Sequence, residues 1–228
     1  MSRPQEALQT VLEAMKRAAR DAERPEARLL AVSKMQPAEA VAALAGSGQS
    51  AFGENYVHEA TAKIAKLAEL GAAGLEWHLI GHLQSNKCRE AAENFDWVQS
   101  LDREKLVEAL NRFRPATLPP LNVLIQVNVD GEVGKSGCAP MAIAMLAESV
   151  ARAPRLLLRG LMAIPEPSPD IEQRRCGFQA MLGYFDSLRA QWSSVDTLSM
   201  GMSEDFAVAI AEGATMVRVG SALFGPRR

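Results

Sequence analysis

Eight apolar, strand-like runs alternating with helical patterns, no change of composition along the chain, and polar residues gathered just after the runs predict a single-domain α/β fold. The expected architecture is a (β/α)8 TIM barrel over residues 1–228, with an extra N-terminal helix. An open doubly wound sheet is the competing arrangement, but no Gly-x-Gly-x-x-Gly follows the first strand.

The elements follow in order. From Pro4 to Ala22, apolar residues such as Leu8, Val11, Leu12 and Met15 recur at helical spacing between charges, and Arg24-Pro25 ends the pattern. Within Arg28–Pro37 the apolar run suits a strand covered on both faces that ends in Lys34 at its carboxyl end, after which Pro37 can open a helix without losing an amide bond. That helix runs to Ala45. Ser50–Phe52 is a short strand, Tyr56–Leu70 a helix, Leu75–Ile80 a strand and Gln84–Asn94 a helix. Phe95–Ser100 is the next strand, and Asp102 is the expected N-cap of a helix over Arg103–Arg114. Leu121–Val129 is β-branched and apolar and discharges into a glycine-rich turn at Asp130–Gly137. A helix at Pro140–Ala153, a strand at Leu156–Ile164, a loop bearing Pro165, Pro167 and Pro169, and a helix at Glu172–Arg189 continue the alternation. Strands at Val195–Ser199 and Thr215–Val219 flank a helix at Glu204–Glu212, and Ser221–Phe224 forms a final turn; the N-terminal helix is expected to fill the space this short turn leaves.

Composition narrows the function. Net charge is −2, and the Lys and Arg residues are scattered, so neither a nucleic-acid footprint nor a polybasic membrane patch is present. No apolar run approaches the roughly 20 residues of a membrane span, and Met1–Arg20 lacks the apolar centre of a signal peptide. Cys88, Cys138 and Cys176 are odd in number and lack paired spacing, which suits a reducing cytoplasm better than a disulfide framework. His78 and His82 have the i, i+4 spacing of a metal pair, but Gly81 interrupts the helix such a pair needs, so no metal is expected.

Active sites of such barrels lie at the carboxyl ends of the strands. There the chain offers Lys34, Asn55, His78, Ser100 with Asp102, Asn128, Met162, Ser199 and Arg218. A half-desolvated lysine can lose its proton near neutrality and condense with a carbonyl as a Schiff base. Ser199-Met200-Gly201-Met202-Ser203 and Gly220-Ser221, after the seventh and eighth strands, look like a phosphate cup. A ligand carrying both an aldehyde and a phosphate would use both ends: pyridoxal 5'-phosphate, or a phosphosugar of a Schiff-base aldolase. Arg218 shares the face of Gly220 and points to the mouth; beside a pyridine nitrogen it would keep that nitrogen unprotonated, while an ion pair with Asp102 or Glu54 is its structural alternative.

The chain also resembles a known family. Ala-Val-Ser-Lys at 31–34, Phe-Gly-Glu-Asn-Tyr at 52–56, Trp-His-Leu-Ile-Gly-His-Leu-Gln-Ser-Asn-Lys at 77–87, Gln-Val-Asn at 126–128, Glu132, Lys135, Gly137, Gly-Leu-Met at 160–162, Leu-Ser-Met-Gly-Met-Ser at 198–203, and Val-Arg-Val-Gly at 217–220 with Phe-Gly-Pro-Arg at 224–227 are similar to the pyridoxal phosphate homeostasis proteins. Met35 and His58 depart from that pattern. The resemblance implies a barrel like the N-terminal domain of alanine racemase, with the cofactor on Lys34, Arg218 at the pyridine nitrogen, and Ser199, Gly220 and Ser221 at the phosphate. It also places Asn55 and Met162 beside the ring; His78 is expected to line the pocket and His82 to lie on the surface.

A racemase needs a second base opposite the lysine. The chain's tyrosines are Tyr56 and Tyr184, neither placed for that task, and an unprotonated pyridine is a weak electron sink. The expectation is a cytoplasmic, monomeric, non-catalytic carrier of pyridoxal 5'-phosphate whose partners include apo-enzymes that use the cofactor. The alternative is a pyridoxal phosphate-dependent amino-acid racemase.

Overall fold

The computed structural model describes residues 3–132, 134–165 and 170–225. Pro167, Pro169 and the Pro226-Arg227 pair of the closing motif lie outside the described residues. Strands β1 (Arg28–Val32), β2 (Ala51–Glu54), β3 (Glu76–Leu79), β4 (Trp97–Leu101), β5 (Leu121–Gln126), β6 (Leu156–Met162), β7 (Thr197–Ser199) and β8 (Met216–Val219) pair in chain order as a closed barrel. Every pairing is parallel, and β8 returns beside β1 with Leu30 opposite Arg218.

The helices form the outer ring: α1 (Arg3–Asp21), α2 (Ala38–Ala45), α3 (Val57–Glu69), α4 (Cys88–Asn94), α5 (Glu104–Phe113), α6 (Ile143–Ala151), α7 (Ile171–Arg189), α8 (Phe206–Ala211) and α9 (Ser221–Phe224). The period of two sorts the strand residues between layers. Leu29 and Ala31 join the core beneath the helices, whereas Leu30 packs inside the barrel with Ala51, Ile80 and Met216. Val32 shares Leu30's face, which leads to the mouth.

Helix α1 buries Leu8, Val11, Met15 and Ala19, one stripe at helical spacing. It packs against α8, α9 and α2, and so fills the gap that the single turn of α9 leaves in the ring. The Arg24 side chain fastens the connection by donating to the Ala211 carbonyl at 3.2 Å.

Two local expectations are corrected. Asp102 does not cap α5: the N-cap residue is Arg103, and the Asp102 carboxylate takes a 2.5 Å bond from the Arg103 guanidinium instead. A nearby cation wins over the free helix amides. Lys34 also stands beyond the end of β1, because after Ser33 N–H bonds the Gly53 carbonyl the chain turns, with Gln36 N–H on the Ser33 carbonyl.

If α1 is a structural wall of the barrel, Met15→Ala will lower stability by about 2–5 kcal/mol in urea denaturation. A loss within about 0.5 kcal/mol would mean that the helix is a surface attachment.

Candidate functional site

A cavity of about 1000 Å³ opens at the carboxyl end of the barrel. Lys34, Gln36, Asn55, Gln126, Arg218, Gly220 and Ser221 line it, with Lys135 and Ser136 from the β5–α6 loop and Met202, Ser203 and Asp205 from the β7–α8 loop.

The turn that delivers Lys34 is clamped from behind. Met35 takes φ 61°, a conformation that costs a non-glycine residue energy, and its amide bonds the Glu59 carboxylate at 2.5 Å. Lys63, on α3, donates to the Ser33 carbonyl at 2.7 Å and to Glu54 at 2.5 Å, while the Ser33 hydroxyl donates to the same Glu54 oxygen at 2.6 Å. Burial pushes the Glu54 carboxyl up, and the bonds from Lys63 and Ser33 oppose that rise. The other Glu54 oxygen is buried without a hydrogen-bond partner. This buried pair ties the backbone at Ser33, where Lys34's turn begins, to the end of β2.

Arg218 forms part of the floor. Its guanidinium donates to the Ser199 hydroxyl at 2.9 Å and to the Ala163 carbonyl at 2.7 Å, and only 3% of the residue is exposed. Burial draws its pKa down to about 10, opposed by the charge of Asp205. The ion-pair alternative is not realised, since Glu54 is engaged by Lys63 and Asp102 by Arg103. Beside it the two glycine-bearing loops meet: Ser221 and Ser203 hydroxyls stand 3.3 Å apart, and a Cβ on Gly220 would approach the Val32 carbonyl to 3.2 Å.

Below the floor a column of polar side chains crosses the barrel interior. Ser199 Oγ bonds Gln99 at 2.7 Å, Gln99 bonds His78 at 2.9 Å, and His78 bonds Glu76 at 2.6 Å. His78 stacks on Trp97 at 5.0 Å. Burial lowers the His78 pKa, against the pull of the Glu76 bond and charge. Burial also works against the Glu76 charge, but the His78 bond and the Arg28 guanidinium outweigh it and hold this carboxyl at about 2.

The profile of the alanine racemase N-terminal domain family matches residues 6–228. The chain is 52% identical over 202 residues to the pyridoxal phosphate homeostasis protein of Escherichia coli K12, covering 89% of this chain and 86% of that one. Its counterpart in Pseudomonas aeruginosa is 53% identical over 199 residues, covering 87% and 84%. The chain belongs to the pyridoxal phosphate homeostasis protein family. Among solved structures, PipY of Synechococcus elongatus with pyridoxal phosphate bound superposes with a TM-score of 0.83 at 35% identity, over 97% of this chain and 100% of PipY. Without the cofactor, PipY gives a TM-score of 0.86 over 97% and 99%.

Of the residues that the family resemblance and the strand ends singled out, Lys34, Asn55, Arg218, Gly220 and Ser221 meet in the cavity. Asn55 is fixed there by Gly81, where any Cβ would stand 2.2 Å from the Asn55 carbonyl oxygen. His78, Met162, Ser199, Met200 and Gly201 do not line it. His78, Met162, Ser199 and Met200 are fully buried: Met162 packs with Trp97 and Leu124, Met200 joins the core under the helices, and His78 and Ser199 belong to the polar column. Gly201, at φ 88°, accepts the Arg218 amide through its carbonyl and lies against Ala209, so it supports Arg218 from behind. His82, expected on the surface, is exposed but borders the mouth, 3.3 Å from Ser136. No cluster able to hold a metal occurs among the described residues.

Lys63→Met strands the Glu54 carboxylate and will cost about 3–5 kcal/mol of stability near pH 8. The stranded carboxyl will bind its proton more tightly in the folded state, so the loss will shrink as pH falls toward 5. Urea denaturation at the two pH values checks this; a loss below about 1 kcal/mol that ignores pH would remove the buried pair from the account.

Proposed function

We propose that this chain binds pyridoxal 5'-phosphate in the mouth cavity, with Lys34 as covalent anchor through a Schiff base, and takes part in intracellular vitamin B6 and amino-acid balance. Support comes from relatives about 50% identical that carry the homeostasis name and from PipY, whose structure holds the cofactor. The observation that carries the reading is that Lys34, from the turn after β1, and Arg218, on the adjoining β8, line one cavity, with the Gly220–Ser221 turn beside them.

The chemistry fits residue by residue. Lys34 supplies the amine for the aldehyde. Arg218 can donate to a ring nitrogen but cannot surrender its proton, so the nitrogen stays unprotonated. Ser203, Ser221 and the glycine backbone suit a phosphate. When bound, the cofactor supplies an electron sink, and an unprotonated ring nitrogen weakens that sink.

No tyrosine lines the cavity among the described residues: Tyr56 is 61% exposed at the start of α3, and Tyr184 packs against the core from α7. We therefore read the protein as a carrier that holds the cofactor without turning over amino acids, acting as a cytoplasmic monomer that hands it to apo-enzymes. No helix among the described residues is long and apolar enough to cross a membrane.

The test is a visible spectrum with added pyridoxal phosphate, then borohydride reduction and peptide mapping. The cofactor mass is expected on the Lys34 peptide, and Lys34→Ala will lose the visible band. Trapping on a different lysine overturns the anchor. Racemase turnover that depends on Lys34 overturns the carrier reading.

A further inference from the structure

The buried column beneath the cavity has a direction. Glu76 is ionised, so it can only accept, and the 2.6 Å contact requires the proton on His78 Nε2. The Gln99 amide nitrogen faces His78 Nδ1 at 2.9 Å, so Nδ1 accepts from it and carries no proton of its own. The same nitrogen's second hydrogen meets Met216 Sδ at 3.2 Å. The Gln99 carbonyl is left to accept from the Ser199 hydroxyl at 2.7 Å, and Ser199 Oγ accepts from Arg218 at 2.9 Å. Every donor along the path points from the mouth toward Glu76. Reversing the amide would set its carbonyl against the Nδ1 lone pair.

The two ends of the path carry opposite charge. Arg218 is buried, and no carboxylate lies within ion-pair distance of it among the described residues. Glu76 opens β3 at the amino end of the barrel, where it also accepts from Arg28 at 2.8 Å, and it does not line the cavity. Hydrogen bonds in series polarise one another, and a low-dielectric interior preserves the effect.

We infer that His78, Gln99 and Ser199 form a one-way hydrogen-bond wire coupling the Glu76 carboxylate at the amino end of the barrel to the Arg218 guanidinium at the mouth, which fixes the guanidinium's orientation and offsets its buried charge. All four are positioning residues acting through Arg218. The consequence for cofactor binding rests on the function proposed above.

Two measurements decide it. With three histidines in the chain, ¹⁵N NMR of the cofactor-free protein isolates His78 readily. The Nε2–H tautomer is expected, with an Nδ1 shift that moves in Gln99→Met. An Nδ1–H tautomer or an imidazolium at neutral pH overturns the wire. The second is a double-mutant cycle on pyridoxal phosphate affinity with Glu76→Gln, which keeps an acceptor for His78 but removes the charge. Glu76→Gln alone is expected to weaken binding about fivefold, and to change it less than about twofold once Gln99→Met has cut the path. Equal effects in both backgrounds would show that Glu76 acts only through local structure and overturn the coupling. Should Gln99→Met fail to fold, Ser199→Ala takes its place in the cycle. If the unaltered protein binds no pyridoxal phosphate, the proposed function fails while the NMR result still decides the wire.

Discussion

The seam between β1 and β8 is the constraint on which the rest depends. Parallel closure places Leu30 opposite Arg218 and Ala31 opposite Val219, so the first and last strands of the chain share one wall of the mouth. A lysine from near the beginning and an arginine and glycine turn from near the end meet only because the barrel closes. Helix α1 serves the same seam from outside, covering the place where α9 has a single turn. Stability and site assembly are therefore one problem here: whatever loosens the outer ring at α1 also loosens the floor of the cavity.

The interior shows how polar groups are tolerated in such a core. Arg218, Ser199, Gln99, His78 and Glu76 are buried or half-buried, and each finds a partner in the next. Between β2 and α3, Glu54 and Lys63 face the same problem and solve it less completely, since one Glu54 oxygen has no partner. Burying such groups is costly unless they are paired. Both sets lie directly beneath or beside groups that reach the cavity, so their energetic cost is matched by the placement of Arg218 and of the turn bearing Lys34. Among the described residues, Ser100 Oγ is also buried without a partner.

Most of the architecture was legible because parallel strands buried on both faces are written as apolar runs, as at Leu121–Gln126, while amphipathic periods mark helices such as α1. Strand ends were less so: β1, β5 and β6 stop at Val32, Gln126 and Met162, short of Lys34, Val129 and Ile164, because backbone pairing, not hydropathy, decides the last residue. In the site, the period of two turns Arg218 toward the mouth but carries no information about depth. Depth depends on how the strands are staggered around the barrel. His78 and Ser199 thus point inward yet lie under the floor. Lys135, Ser136 and Ser203 arrive on loops, where no period exists; the glycine-rich context of Lys135 was the available signal for it. The Gln99 contribution to the column left no local trace, since its partners come from β3 and β7.

The central claim is that closure gathers Lys34, Arg218 and the Gly220–Ser221 turn around one cofactor. A crystal structure of the protein grown with pyridoxal phosphate tests this most directly. The account predicts density continuous with Lys34 Nζ, the ring nitrogen at the Arg218 guanidinium and the phosphate between Ser203 and Ser221. A cofactor bound elsewhere, or held in the mouth with its phosphate toward Lys135 and its ring away from Arg218, would contradict it.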